Sequence, residues 1–74
     1  MKNQTALATK LGKALRARRL GIGLSQDDFA DRIQMHRAYY SAIERGEKNV
    51  TLATLHRVAV GLQSTMSELL AKVE

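Results

Sequence analysis

Residues 24–46 read LSQDDFADRIQMHRAYYSAIERG, and this stretch decides the fold. Its first part has the signature of a helix N-terminus. Ser25 offers a capping hydroxyl three residues before Asp28, which is an acidic variant of the capping box. Beyond the cap, the spacing places three apolar residues on one face of a short helix: Phe29, Ala30 and Ile33.

The second part of the stretch predicts another short helix over residues 37–45. Tyr40 and Ile43 are three positions apart and face inward, and Gly46 suits the left-handed position that closes a helix. Only three residues separate the two helices: Gln34, Met35 and His36. This spacing is typical of a helix-turn-helix motif.

Three further helices are predicted around this pair. Helix 1 covers residues 6–20, where leucines recur at four-residue spacing, and Gly21 and Gly23 end it. Thr51 caps helix 4, and Thr65 with Glu68 forms a capping box for helix 5. The apolar stripes of helices 4 and 5 comprise Leu52, Leu55, Val58, Ala59 and Leu62, then Met66, Leu69, Leu70 and Val73. We therefore expect an all-α fold, a compact five-helix bundle, and a single domain over residues 1–74.

The length and composition of the chain limit how it is stabilised. A chain of 74 residues buries only about 60% of its unfolded surface, so its margin of stability is thin. It has no cysteine for a disulfide or a zinc cluster, and its two histidines, His36 and His56, stand alone. We expect no metal and no cofactor, and we expect dimerisation to add to the stability.

Several classes of protein are not indicated by the sequence. The residues at the start lead into no apolar run of signal-peptide type, and no stretch approaches the roughly 20 apolar residues of a membrane span. We expect a cytoplasmic protein with no membrane partner. There is no cysteine nucleophile, no glycine-rich phosphate loop and no histidine pair at metal spacing, so we expect no catalysis and no small-molecule substrate.

The distribution of charge favours a polyanionic partner. Twelve basic and seven acidic residues give a net charge of +5 and a pI near 10.1. Residues 1–26 contain no acid, and their basic residues are Lys2, Lys10, Lys13, Arg16, Arg18 and Arg19. Asp27, Asp28 and Asp31 follow in the first turns of helix 2, where the helix dipole favours negative charge. The basic residues of helix 1 either attract DNA diffusely or are simply solvated.

Three segments carry a resemblance to a known family. LSQDDFA at 24–30, IERGEKN at 43–49 and LATL at 52–55 look like the phage-repressor and Cro type of helix-turn-helix domain. Within that family, HRAYYSAIERG at 36–46 followed by KNVT at 48–51 resembles the controller proteins of restriction-modification systems. The family usually has glycine in the turn and serine or aspartate at the cap, where this chain has Gln34 and His36. A left-handed Gln34 would cost about 1 kcal/mol relative to glycine.

The resemblance implies a sequence-specific transcriptional regulator that binds a pseudo-palindromic, double-stranded DNA operator as a homodimer. A controller protein would activate its own promoter and that of an endonuclease at low concentration and repress at high concentration, with RNA polymerase as a further partner. Two alternatives stay open. One is a stand-alone phage-type repressor, and the other is an antitoxin that binds a toxin protein and autoregulates its operon.

The expected DNA-binding residues lie in and around the predicted helix-turn-helix. A recognition helix presents its N-terminal turns to base edges in the major groove, which here are His36, Arg37, Ala38, Tyr39 and Ser41. Arg37 can hold guanine O6 and N7 together; the alternative is a phosphate contact only. The resemblance to controller proteins implies a place for Tyr39 at the DNA surface, and the three-residue spacing to Ile43 places Tyr40 in the core, unless the register shifts by one. The resemblance implies that Gln26 binds a phosphate; the alternative is a surface glutamine without this contact. Lys48 and Asn49, in the loop after helix 3, are expected to contact the flanking backbone, with Lys48 also able to reach a base; the alternative is that both are turn residues.

Two further sets of residues are assigned to structure and assembly. The resemblance implies that Arg19 and Glu44 form an ion pair that joins helix 1 to helix 3. The apolar face of helix 5 has more large side chains than so small a core needs, so we expect a twofold dimer interface there. Its candidate residues are Met66, Leu69 and Leu70; the alternative is that they belong to the core of the monomer.

Overall fold

The computed structural model describes the backbone of residues 2–74 and the side chains of residues 6–74. This part of the chain contains five helices, α1 (Lys2–Gly21), α2 (Gln26–Arg32), α3 (Arg37–Glu44), α4 (Leu52–Gly61) and α5 (Met66–Leu70). The predicted all-α fold with five helices is confirmed, although α1 begins before residue 6. The side chain of Lys2 lies outside the described residues. None of the helices in residues 2–74 combines the length and the apolar character needed to cross a membrane.

The helix starts predicted from local sequence are formed as expected. Ser25 Oγ accepts the backbone N–H of Asp28 at 3.0 Å at the start of α2. Thr51 caps α4 in the same way, and the reciprocal capping box of α5 is complete. His36 stands at the N-cap of α3 and makes no side-chain capping bond, so its imidazole is available for another contact.

Two glutamines adopt the left-handed conformation at helix ends, and each helix end is bound by an arginine. Gln34, at the turn position where the family usually has glycine, has a φ of 56°, and Gln63, which the sequence did not single out, has a φ of 58°. Arg57 donates to the carbonyl oxygens of Ile33 and Gln34. Arg18 donates to the carbonyls at 62 and 63, at 3.0 and 2.7 Å. These cations satisfy the free carbonyls that end α2 and α4, so Arg18 has a structural task instead of the diffuse attraction considered above.

The core lies between α1 and the helix-turn-helix and is closed by α4 and α5. Phe29 and Tyr40 are fully buried, and their rings pack with centroids 4.9 Å apart. Leu69 is only 2% exposed and belongs to this core, and Met66 is partly buried against it. The expectation that Leu69 forms a dimer interface is therefore wrong, because its side chain offers no surface to a second subunit.

The packing of α1 against α3 depends on one glycine. A Cβ added at Gly12 would overlap the carbonyl oxygen of Glu44 and lie 2.8 Å from that of Ile43. The two helices can therefore approach this closely only because position 12 has no side chain.

We expect Gly12→Ala to lower the free energy of unfolding by about 1–3 kcal/mol, because the added methyl forces α1 away from α3. Gly21→Ala is the matched control, since a Cβ there meets nothing within 4 Å. Chemical denaturation followed by circular dichroism measures both. Equal stability of the two variants would contradict the close contact at Gly12.

Candidate nucleic-acid interface

The helix α3 divides into an inward and an outward face. Tyr40, Ala42, Ile43 and Glu44 are buried, whereas Arg37, Ala38 and Tyr39 are exposed and Ser41 is half-buried. Tyr39 is 37% exposed and Tyr40 is fully buried, so the register is the expected one and the tyrosines do not exchange places. Because α3 is uncovered at its N-terminal turns, the monomer presents a free helical surface of the kind that enters a major groove.

The inward face of α3 is held by a buried polar network centred on Glu44. Arg19 Nε and Nη2 donate to the two carboxylate oxygens of Glu44 at 2.7 and 2.9 Å. The two side chains are 5% and 2% exposed. The hydroxyl of Tyr40 donates to Oε2 of the same carboxylate. Arg19 thus joins α1 to α3 through a paired, almost completely buried charge.

Gln26 also belongs to this network, which the sequence did not predict. Its side-chain amide donates from Nε2 to Glu44 Oε1 at 2.9 Å. Gln26 is the first residue of α2 and is half-buried. The bond to Glu44 therefore orients a polar side chain at the N-terminus of α2, where free backbone N–H groups favour an anion.

The network changes the protonation equilibria of its members. Burial would raise the pKa of Glu44, but hydrogen bonds from Arg19, Tyr40 and Gln26 outweigh it, and the pKa of Glu44 is lowered. The hydrogen bond to Glu44 raises the pKa of Arg19. Burial, followed by the bond to Glu44, raises the pKa of Tyr40. The pair is thus charged, and the tyrosine stays a hydrogen-bond donor, at neutral pH.

Arg37 is exposed, but its guanidinium is paired within the chain. Nε lies 3.2 Å from Asp31 Oδ1 and Nη2 lies 2.7 Å from Asp31 Oδ2, while Nη1 lies 3.5 Å from Asp27. These hydrogen bonds raise the pKa of Arg37 and lower that of Asp31. From the sequence, the acidic residues of α2 were explained by the helix dipole. In the structure, Asp31 and Asp27 also contact Arg37, the first residue of α3.

The outward face also includes Arg45, which the sequence analysis did not select. Its Nη1 donates to Ser41 Oγ at 2.6 Å, and its guanidinium pairs with Glu47 at 2.9 Å. The four-residue spacing of Ser41 and Arg45 on a predicted helix is the signal that could have indicated this contact. Ser41 therefore uses its hydroxyl within the protein, and a cation lies beside it.

The remaining predicted contact residues are exposed but lie on different elements. His36 stands at the N-terminus of α3, and Lys48 and Asn49 lie in the segment between α3 and α4. Gln26 is the first residue of α2 and Arg37 is the first residue of α3, and the side chain of Gln26 binds Glu44, the last residue of α3. Lys48 and Asn49 lie beyond the C-terminal end of α3, so the predicted site extends along the whole recognition helix instead of forming one pocket.

Comparison with known proteins identifies the family to which this chain belongs. Residues 15–69 match the helix-turn-helix family. The control protein C.MunI of a Mycoplasma species is 47% identical to this chain over 51 residues, which are 69% of each chain. This chain belongs to the helix-turn-helix family, among the control proteins.

Solved structures of controller proteins share the fold of this helix-turn-helix protein. The restriction-modification controller protein C.AhdI from Aeromonas hydrophila matches with a TM-score of 0.80 and 35% identity, over 84% of this chain and 94% of that chain. The C.Esp1396I tetramer, solved in complex with its natural 35 base-pair operator, matches with a TM-score of 0.79 and 28% identity, over 90% and 93%. The resemblance to controller proteins found in the sequence is confirmed.

The helix-turn-helix protein also has an apolar groove away from the outward face of α3. Leu7 from α1, Leu52 from α4 and Leu70 from α5 line it and are 46%, 72% and 39% exposed. The groove has a volume of about 300 Å³, and Lys48, Asn49 and Val50 form one side of it. Of the three residues predicted for a dimer interface, only Leu70 belongs to this exposed surface.

Proposed function

We propose that this chain is a sequence-specific DNA-binding transcriptional regulator, the controller protein of a restriction-modification system, and that it binds a pseudo-palindromic operator as a homodimer. The observation that carries the proposal is the uncovered N-terminal half of α3, whose opposite face is anchored by the Glu44 network. The identity to C.MunI and the operator complex of C.Esp1396I support it. In this proposal the protein performs no catalysis and acts in the cytoplasm, where its operator lies.

The contacts follow from the geometry of α3 in a major groove. Arg37, Ala38 and Tyr39 would face base edges, where a guanidinium recognises guanine O6 and N7 and a methyl group packs against thymine. Gln26 would bind a phosphate at the N-terminus of α2. The remaining contacts with bases or backbone are assigned to His36, Ser41, Lys48 and Asn49. Arg45, which was not among the residues expected from the sequence, is added to them because it lies beside Ser41.

The apolar groove is assigned to the dimer interface. Its exposed leucines come from three helices, and an open apolar patch of this kind marks an interaction surface. A twofold dimer that reads two half-sites needs its two recognition helices about 34 Å apart, one turn of DNA. The groove adjoins Lys48 and Asn49, so the backbone contacts would lie near the dimer axis.

Dimerisation would couple operator occupancy to protein concentration. At low concentration a dimer on one site would activate transcription, with RNA polymerase as the partner, and at higher concentration further occupancy would repress it. This order, activation followed by repression, is what the resemblance to controller proteins implies. Templates that carry the operator, transcribed at rising protein concentration, would show a maximum followed by a decline.

We expect Arg37→Ala to lose most of the preference for the operator over random DNA while remaining folded. Loss of one bidentate guanine contact reduces discrimination by about 1–3 kcal/mol. The operator is first obtained by selecting bound duplexes from a random library with the wild-type protein, and affinities are then measured by fluorescence anisotropy. Lys10→Ala is the control, because it removes an exposed cation from the side of α1 opposite to Gly12, the residue that packs against α3.

The salt dependence of binding tests the proposal as a whole. Each phosphate contact contributes a slope of about −0.9 to the plot of log affinity against log salt concentration. A dimer that contacts several phosphates therefore gives a steep line. A flat line, or no enrichment of any sequence during selection, would rule out the proposed function.

A further inference from the structure

The geometry of the pair between Arg37 and Asp31 leaves part of the guanidinium free. A guanidinium has five N–H donors arranged on two usable edges, one formed by Nε and Nη2 and the other by Nη1 and Nη2. Asp31 occupies the first edge with both oxygens, at 3.2 and 2.7 Å. The second edge is the fork that fits O6 and N7 of guanine.

Asp27 approaches the free edge without closing it. Its oxygen is 3.5 Å from Nη1, whereas charge-assisted hydrogen bonds are about 2.7–2.9 Å long. The Arg37 and Asp31 side chains are 58% and 56% exposed, so the pair lies at the surface, and the long contact to Asp27 is the one recorded at the second edge of the guanidinium. Asp31 can therefore keep its contact while a base approaches the opposite edge.

We infer that Asp31 is a positioning residue for base recognition: it holds Arg37 by one edge of the guanidinium so that the other edge is presented to a guanine. The inference rests on the proposed function. An arginine on an exposed helix samples many rotamers, and a side chain that is already ordered loses less freedom on binding. A carboxylate near DNA also repels phosphates, so Asp31 weakens binding to every sequence while it improves recognition of one.

Two variants separate the positioning of Arg37 from the general effect of removing a negative charge near DNA. Asp31→Asn removes a carboxylate that contacts Arg37, and Asp28→Asn removes an exposed carboxylate from the same helix that makes no side-chain bond to Arg37. Affinities are measured for the selected duplex and for a scrambled duplex of the same composition. We expect Asp28→Asn to strengthen binding to both duplexes by the same factor. We expect Asp31→Asn to lower the ratio of the affinity for the selected duplex to that for the scrambled duplex by about two- to fivefold, the range of an exposed ion pair.

A second readout checks that the effect passes through Arg37. In an Arg37→Ala background, Asp31→Asn should leave the ratio unchanged. In the wild-type protein, 7-deazaguanine at the guanine that Arg37 reads should weaken binding, and in Asp31→Asn this penalty should shrink. Thermal unfolding confirms that each variant is folded.

Three results overturn the inference. The first is an equal ratio for the Asp31→Asn and Asp28→Asn variants, and the second is an effect of Asp31→Asn that persists without Arg37. Both leave the proposed function standing, since the wild-type protein still prefers the selected duplex. The third is a wild-type protein with no preference between the duplexes, which overturns the proposed function and the inference together.

Discussion

Replacing Glu44 with alanine is expected to lower the free energy of unfolding by about 3–5 kcal/mol, because one partner of a buried ion pair then remains without its counter-charge. Arg19 would keep a charge that is 5% exposed, and Tyr40 and Gln26 would each lose a hydrogen-bond acceptor. A small domain is stable by only about 5–15 kcal/mol, so this loss is a large share of the total. Urea denaturation at one fixed protein concentration measures it, because dimerisation shifts apparent stability.

Glu47→Ala is the matched control. Glu47 also pairs with an arginine, at 2.9 Å, but both side chains are more than half exposed. Such a pair contributes about 0–1 kcal/mol. Similar losses for the two variants would show that the Arg19 and Glu44 pair is no more important than a surface pair.

The pH dependence of stability gives an independent signature of Glu44. Its pKa is lowered in the folded state, so the carboxylate stabilises the fold above the ordinary glutamate pKa of about 4.3. That contribution is lost as the pH falls through the lower folded value. Glu44→Gln should remove this part of the acid destabilisation, and an unchanged acid profile would contradict the paired carboxylate.

The second large effect is expected at the groove. Leu52→Asp should convert the protein to a monomer and weaken binding to a two-half-site operator by about 10²–10⁴-fold, because the second half-site is no longer bound in the same event. Leu52 is 72% exposed at the first position of α4, where an acidic residue suits the helix dipole. The monomer fold should therefore tolerate the substitution.

Val60→Asp is the control for this substitution. Val60 is also a large, exposed apolar residue of α4, at 61%, but it lies outside the groove. Sedimentation velocity gives the oligomeric state, and mobility shift on the operator gives the affinity. If Leu52→Asp stays dimeric, or if Val60→Asp is the variant that dissociates, the interface lies elsewhere.

The capped helix starts and the helix-turn-helix were predictable because their causes are local. A capping hydroxyl and the amide it binds are three residues apart, as Ser25 and Asp28 are, so a short stretch of sequence is enough to predict the interaction. The inward position of Tyr40 followed from helical periodicity, through its three-residue spacing to Ile43, whereas the outward position of Tyr39 was expected from the family resemblance. The Arg19 and Glu44 pair was expected only from family resemblance, since nothing local relates positions 19 and 44.

The dimer residues were the weak part of the prediction for a physical reason. An apolar stripe shows which face of a helix avoids water, but not whether that face is covered by its own chain or by another. The structure places Leu69 in the core and leaves Leu70 open, beside leucines from α1 and α4 that are distant in sequence. Only the folded structure distinguishes an apolar face that its own chain covers from one that is left open to another chain.

The sequence by itself determined the order of the helices, the capped starts of α2, α4 and α5, and the helix-turn-helix, because hydrogen bonding within a turn and the 3.6-residue period act over a few neighbouring residues. Tertiary structure alone decided how the long cationic side chains are used. Arg18 and Arg57 bind the ends of other helices, and Arg37 lies against Asp31. A flexible arginine has many rotamers of similar energy, and the choice among them depends on acceptors that folding brings within reach.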